Sequence, residues 1–297
     1  MSFKSGFVAI SGRPNVGKST LLNNIIKQKI AIMSPKAQTT RNTIHGVYND
    51  IDTQIIFIDT PGVHKPHNKL GEIMNASAIG ATRDVEAIIF LVSSCDEIGK
   101  GDEYLLNILK DQKAPVILVL NKIDLISKEE IFLKIVEWKK MFNFDNIVPL
   151  SAKSGENVDE LLKIIKNLLP EGPKYYPNDV ISDHPEEFIM AELIREKILL
   201  LTRDEIPHSI AVIIENIEKK SNGKIDVNAS IIVERSSQKA IIIGKNGSMT
   251  KNIGIMSRKD IEHLLGSKIN LELFVRVEKN WRNDFRYLKE FGYKGEK

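Results

Sequence analysis

Eight residues near the start of the chain, Gly12-Arg13-Pro14-Asn15-Val16-Gly17-Lys18-Ser19, constrain its fold more than any other stretch. They match the phosphate-binding pattern G-x-x-x-x-G-K-[ST], and their flanks supply the context that this pattern needs. Before them, Phe7-Val8-Ala9-Ile10 reads as a buried strand; after them, Thr20-Leu21-Leu22-Asn23-Asn24-Ile25-Ile26 opens a helix. A strand–turn–helix of this kind aims the N–H groups of the turn and of the helix start at one point, where they hold phosphate oxygens. Residues 12–20 are therefore expected to contact a nucleotide. Lys18 would reach its β- and γ-phosphates, and the Ser19 hydroxyl would ligate magnesium. Such a loop serves ATP and GTP alike.

The base is decided further along. Val116-Ile117-Leu118-Val119-Leu120 is a continuous apolar run, as expected of a strand buried on both faces. At its C-terminal end, where open α/β sheets bind ligands, stand Asn121-Lys122-Ile123-Asp124. This sequence resembles the guanine-reading motif of the GTPase superfamily. A carboxylate at Asp124 accepts two parallel hydrogen bonds, from the guanine ring N–H and from its exocyclic amine. Adenine lacks that amine and would leave the carboxylate unpaired, a penalty of roughly 10⁴-fold or more. Ser151-Ala152-Lys153, after the strand-like Ile147-Val148-Pro149-Leu150, is similar to the second guanine loop. GTP is expected over ATP, with Asn121 and Asp124 reading the base among Lys122, Ser151, Ala152 and Lys153.

Two more segments complete the set. Gln54-Ile55-Ile56-Phe57-Ile58 is a further strand, ending in Asp59-Thr60-Pro61-Gly62. Asp59 is placed to hold magnesium through water, and the Gly62 N–H to meet the γ-phosphate. Gln38-Thr39-Thr40-Arg41 falls where the first switch loop of such proteins lies. Thr40 is expected to close over magnesium beside Ser19 and Asp59, with Thr39 the alternative. Each loop alone is compatible with an ordinary solvated turn; four motifs in this order are not. The residue after Gly62 is Val63, where Ras-type proteins carry a water-orienting glutamine. An apolar side chain cannot orient water, so an unassisted rate on the order of 10⁻³ s⁻¹ or less is expected. Asn15 resembles its counterpart in P-loop GTPases that bind potassium beside the phosphates; the plain alternative is a turn residue. The groups expected to act on hydrolysis are Lys18, Thr40, Gly62 and Asn15.

The length of 297 residues suits two domains with separate cores. A hydrophobic content of 42% with 27% charged residues excludes a disordered or membrane-embedded chain. The single Cys95 excludes a disulfide framework and points to the reducing cytoplasm. It follows the strand-like Ile88-Ile89-Phe90-Leu91-Val92 and is expected to pack at the strand end. No signal peptide or membrane-spanning run is visible. The histidines show no metal-ligand spacing, and His64 and His67, in the loop after Gly62, are expected to be solvated.

Pro170-Glu171-Gly172-Pro173, with Pro177 soon after, stops the helical pattern and favours an extended linker. Before it, strands and helices alternate, which argues for a mostly parallel, doubly wound sheet. After it comes an amphipathic helix over 186–202, then strands over 209–219 and 225–234 joined by a turn at Ser221-Asn222-Gly223. A short helix, Gly244-Lys245-Asn246-Gly247, a longer helix to Leu265, a strand over 269–277 and a terminal helix from Trp281 follow. This α-β-β-α-α-β order with G-x-x-G between the middle helices resembles the type II K-homology (KH) fold. The glycines let backbone approach backbone, and such a loop clamps about four nucleotides of single-stranded RNA. Charge supports this: residues 175–234 carry 6 Lys/Arg against 12 Asp/Glu, whereas residues 235–297 carry 14 against 7. The basic surplus thus sits on the G-x-x-G loop and beyond it. Candidate RNA contacts are Lys239, Gly244, Lys245, Asn246, Gly247, Lys251 and Arg258, with Lys259 nearby. Arg282, Arg286 and Lys289 would form a solvated basic face.

The P-loop with Val63, the Thr39-Thr40-Arg41 segment and a KH domain reached through Glu234-Arg235-x-Ser237-Gln238-Lys239 together resemble the Era-like family of bacterial GTPases. The resemblance covers essentially the whole chain. It implies a GTP-binding domain over 1–170, a linker over 171–183 and a type II KH domain over 184–297. It also implies GTP/GDP and Mg²⁺ as ligands; K⁺ at Asn15 stays open against the plain turn residue. The expected partner is the 3′ end of 16S ribosomal RNA in the small (30S) subunit, whose assembly such a monomer would serve. Members of the family also associate peripherally with the inner membrane. Two other classes stand beside this one. A metabolite kinase is disfavoured by N-K-x-D; a GTP-dependent interaction protein would use the basic C-terminal domain on a protein or membrane surface.

Overall fold

The structure is a computed structural model that describes residues 2–36, 38–63, 65–221 and 223–293; His64 and Asn222, both in expectations above, lie outside the described residues. The first half alternates β1 (Lys4–Ser11), α1 (Lys18–Ile26), β2 (Ile44–Asn49), β3 (Thr53–Asp59), α2 (Lys69–Gly80), β4 (Ala87–Ser93), α3 (Lys100–Leu109), β5 (Val116–Asn121), α4 (Lys128–Met141), β6 (Asn146–Pro149) and α5 (Val158–Leu168). Its sheet runs in the order β2-β3-β1-β4-β5-β6, parallel except for β2. Continuous apolar runs make this possible, because alternate residues of one strand feed two cores. On β4, Ile89 and Leu91 join Leu21, Leu161 and Ile165 on one face, while Ile88 and Phe90 join Leu105 and Trp138 on the other. The antiparallel β2 escaped the sequence pattern: it reads Ile-His-Gly-Val-Tyr-Asn, and its apolar residues do not form a run. The carboxyl ends of β1, β3 and β5 meet at one edge, which places the loops after Ser11, Asp59 and Asn121 together.

The second half comprises α6 (Glu186–Leu201), α7 (Ile206–Ser209), β7 (Ala211–Lys219), β8 (Ile225–Val233), α8 (Ser236–Ile243), α9 (Ser248–Leu265), β9 (Ile269–Val277) and α10 (Phe285–Glu290). Strand β8 is central, antiparallel to β7 and parallel to β9. Its buried Val227, Ala229 and Ile231 pack against Ile194 and Ile198 of α6 and Ile253 and Ile261 of α9. The one-turn α7, not expected, starts where Pro207 supplies a fixed φ in the first turn.

Three expectations are corrected. The helix expected from Trp281 is broken into a single turn over Trp281–Asn283 and the short α10, because the Asp284 side chain caps a new start by accepting from the Arg286 N–H at 2.9 Å. Its face is not uniformly a solvated basic one either: Arg282 is ion-paired with Glu234 at 2.6 Å. Cys95 lies beyond the end of β4 and is exposed rather than packed. The extended segment after α5 is strapped to the first sheet. The buried Gln54 amide donates to the Tyr176 carbonyl at 2.8 Å and accepts from the Tyr175 N–H at 2.7 Å, and Val47 N–H donates to the Ile181 carbonyl at 2.9 Å.

Candidate guanine-nucleotide site and nucleic-acid groove

A cavity of about 750 Å³ at the sheet edge is lined by Pro14, Asn15, Gly17, Lys18, Ser19, Thr20, Thr40, Gly62, Lys122 and Lys153, all singled out in the sequence. The turn needs glycine twice: Gly12 and Gly17 have φ of 152° and 108°. Lys18 is 6% exposed, and its Nζ donates to the Gly12 and Arg13 carbonyls at 2.9 Å each. Ser19 Oγ donates to Asp59 Oδ2 at 2.6 Å and lies 2.9 Å from Thr40 Oγ1. The Thr39 hydroxyl donates instead to the Lys36 carbonyl at 2.7 Å, so Thr40 is the threonine in this cluster.

The electrostatics of the cluster are one-sided. Burial pushes the Asp59 carboxyl up to about 6, against the opposing pull of Lys18 and Ser19. Burial pulls the Lys18 ammonium down to about 8, against the opposing effect of Asp59. Asp59 Oδ1 is buried with no hydrogen-bond partner. A buried carboxylate short of positive charge beside a buried ammonium short of negative charge fits a magnesium ion and phosphate bound between them.

Several predicted residues are held differently from expectation. Asn121, expected to read the base, is 2% exposed and spends its amide on backbone. Its Nδ2 donates to the Val16 carbonyl at 2.7 Å, and its Oδ1 accepts from the N–H groups of Lys122 and Ala152 at 2.8 and 2.9 Å. It ties three loops together, whereas Asp124 stands exposed on the following turn. Arg13 points away from the phosphate loop: its Nε is 3.0 Å from Asp102 and its Nη2 donates to the Glu97 carbonyl. Thr60 donates to the Ile10 carbonyl at 2.8 Å, joining β3 to β1. Pro61 is buried, and Val63, 8% exposed, packs into the apolar layer with Ala78, Ile88 and Phe90. Buried Ser151 accepts from the Ser154 N–H and shapes its own loop. Asn15 has φ 64° and donates from Nδ2 to the Pro35 carbonyl at 3.0 Å. A Cβ on Gly62 would lie 2.7 Å from the Pro14 nitrogen, so only glycine allows this approach.

The second site is a groove of about 1070 Å³ between α8, α9 and β9. Lys239, Gly247, Lys251 and Arg258 line it, as expected. Gly244, Lys245 and Asn246 form the loop at its end, where Gly244, Asn246 and Gly247 all have positive φ (72°, 52° and 75°). A Cβ on Gly244 would lie 2.8 Å from the Met249 nitrogen. Lys259 faces the opposite side, beside Gln28 and Lys29, because adjacent helix positions diverge by about 100°. Ile255 and Phe274, each 53% exposed, also line the groove together with Asn270 and Arg276, none of them among the expected contacts. A signal existed: Phe274 falls in the polar phase of β9, with Asn270, Glu272 and Arg276.

A P-loop nucleotide site joined to a KH fold with an open basic groove defines the class: a P-loop GTPase that carries a KH domain. The family model described as 50S ribosome-binding GTPase matches residues 7–122, and the KH domain model matches residues 205–282. Two solved structures are similar over nearly the whole length. One is an alanine variant of Era from Aquifex aeolicus bound to GDP·AlF₄⁻; the other is Era in complex with MgGDPNP and nucleotides 1506–1542 of 16S ribosomal RNA. Each is 42% identical to this chain with a TM-score of 0.94, over 98% of this chain and 99% of the other. The chain belongs to the Era family, and it is a GTPase.

Proposed function

We propose that this GTPase is a nucleotide-controlled binder of the 3′ end of 16S ribosomal RNA, serving assembly of the small (30S) subunit. The observation that carries this reading is the coexistence of two complete sites in one chain that superposes on Era holding MgGDPNP and that RNA. Ser19, Thr40 and Asp59 would hold Mg²⁺, which supplies positive charge to the phosphates when bound. Lys18 and the loop amides hold the phosphate oxygens, and the Gly62 N–H meets the γ-phosphate. Asp124 reads the guanine edge, and Asn121 keeps the surrounding loops in place. K⁺ would sit beside Asn15, whose side-chain oxygen is the atom able to ligate it, since its Nδ2 donates to the Pro35 carbonyl. The burial of Val63 leaves no side chain there to orient water, which supports slow intrinsic hydrolysis.

In the C-terminal groove, the G-x-x-G amides and Lys239, Lys251 and Arg258 would hold RNA phosphates, while Ile255 and Phe274 meet the bases. The functional division is residues 1–170 for GTP, 171–183 as linker and 184–297 for RNA. Trp281, Phe291 and Tyr293 are buried against Leu70 and Met74 rather than presented outward, which favours RNA over a membrane or protein surface as the target of this half. Among the described residues, no helix is long and apolar enough to cross a membrane.

The test is binding of the full chain to a labelled oligonucleotide from the 3′ end of 16S RNA, with GDP and with a non-hydrolysable GTP analogue. Tighter, sequence-selective binding with the analogue is the expected result. Binding that ignores both sequence and nucleotide would refute the RNA assignment.

A further inference from the structure

The segment 39–41 touches both halves of the molecule, one residue at a time. Thr40 places its hydroxyl 2.9 Å from Ser19 in the nucleotide site. Its two neighbours are held by the C-terminal half. The Thr39 carbonyl accepts from Arg195 Nη2, on α6, and Arg195 is itself fixed by Glu192 at 2.5 and 2.6 Å. Arg41 is 2% exposed, although it comes from a loop of the N-terminal half. Its guanidinium donates to the carbonyls of Ile210 (2.5 Å), Pro207 (3.0 Å) and His208 (3.1 Å), and its Cζ lies 6.0 Å from the centre of the Trp281 ring. Slightly upstream, the Met33 N–H donates to Glu196 Oε1 at 2.9 Å. Among the described residues, the C-terminal half thus grips this loop on both sides of Thr40.

We propose that Arg41 is the positioning residue through which the C-terminal half holds Thr40 over the nucleotide, making GTP preference and seating of the two halves a single equilibrium. The inference deepens the switch reading given above and rests on it. Its physical basis is the rigidity of the chain. Adjacent Cα atoms are about 3.8 Å apart, so Thr40 cannot swing away from Ser19 without dragging its neighbour. A guanidinium bonded to three fixed carbonyls has little room to follow. A displacement of a few ångströms would strand a buried charge, which is far costlier than a graded loosening. The loop is therefore bistable: Arg41 seated with Thr40 closed, or both released. A ligand that engages Thr40 favours the first state, and by linkage a properly seated C-terminal half raises affinity for that ligand by the same factor. The seat also communicates with the groove side. Arg282 donates to the same His208 carbonyl at 3.3 Å and to Glu234 at 2.6 Å, and the Glu234 N–H is held by Gln238 of α8, next to Lys239.

The experiment uses the full chain with Arg41→Gln and, as a second way of freeing the loop, Arg195→Gln. Affinities for fluorescent GDP and for a fluorescent non-hydrolysable GTP analogue are measured with Mg²⁺, and RNA affinity is measured in each nucleotide state. The expected result is an analogue-to-GDP affinity ratio lowered about tenfold with GDP affinity unchanged, and RNA binding that no longer responds to the nucleotide. An unchanged ratio in Arg41→Gln that still binds GDP normally overturns the proposal. Should Arg41→Gln fail to fold, the ratio in Arg195→Gln decides in the same way. The ratio is measured without RNA, so failure of the wild-type chain to bind RNA would refute the RNA assignment while leaving this test intact.

Discussion

Asp59 shows how far a single residue can be set by its surroundings. Its carboxyl binds a proton more tightly in the fold, near pH 6, than in an unfolded chain, near 3.8. Without nucleotide the fold therefore loses stability as pH rises from about 4 to about 6, because ionisation leaves a buried carboxylate undercompensated. The ion-bound state behaves in the opposite way. Protons compete with Mg²⁺ for this carboxylate, so the Mg²⁺ dependence of GDP binding should weaken about tenfold per pH unit below about 6. Titration of Mg²⁺ against fluorescent GDP at pH 5, 6 and 7 measures this, and Asp59→Asn should abolish the trend. Gly62 offers a second test at this scale. The Cβ of Gly62→Ala would press on Pro14 at 2.7–2.9 Å and displace the Gly62 N–H from the position proposed for meeting the γ-phosphate. Hydrolysis should fall about 100-fold with GDP affinity nearly intact, as read by single-turnover assay. At Asn15, hydrolysis should run faster in KCl than in NaCl at equal ionic strength; equal rates would leave Asn15 a turn residue, which its φ of 64° already suits.

At the scale of elements, β9 carries the groove. It alternates inward Leu271, Leu273 and Val275 with outward Asn270, Glu272, Phe274 and Arg276. Phe274 is 53% exposed on the groove, and on the proposed RNA reading the loss of one aromatic stacking platform costs about 1–3 kcal/mol of binding. Phe274→Ala should weaken RNA binding by that amount without changing GDP affinity, whereas Lys245→Glu should lower the salt dependence of binding by about one unit of slope. Fluorescence anisotropy across a salt series separates the two effects. Alternation on β9 was legible in the chain, as was the strand–turn–helix around Lys18. The antiparallel β2 and the one-turn α7 were not: β2 has no apolar run of its own and is fixed by pairing with β3, three residues further on, while α7 is held by Trp281 and Arg41, both distant in sequence.

For the whole molecule, the decisive feature is the shared core in which Leu70 and Met74 of α2 meet Ala211, Ile232, Trp281, Leu288, Phe291 and Tyr293. Trp281 is fully buried there, and its indole N–H donates to the Ser209 carbonyl at 3.0 Å. Trp281→Ala should cost about 3–5 kcal/mol and split a single urea transition into two, followed by intrinsic fluorescence and circular dichroism. The sequence by itself determined the local chemistry. The nucleotide motifs, the sheet's apolar runs and the G-x-x-G loop each work through residues adjacent in the chain, whose spacing sets backbone geometry directly. Tertiary structure alone decided what long-range packing decides. It turned Asn121 into a tie between loops and aimed Arg13 away from the phosphates. It also buried Arg41 in the opposite half of the molecule, because a guanidinium finds its carbonyls wherever folding brings them, and no local pattern records where that is.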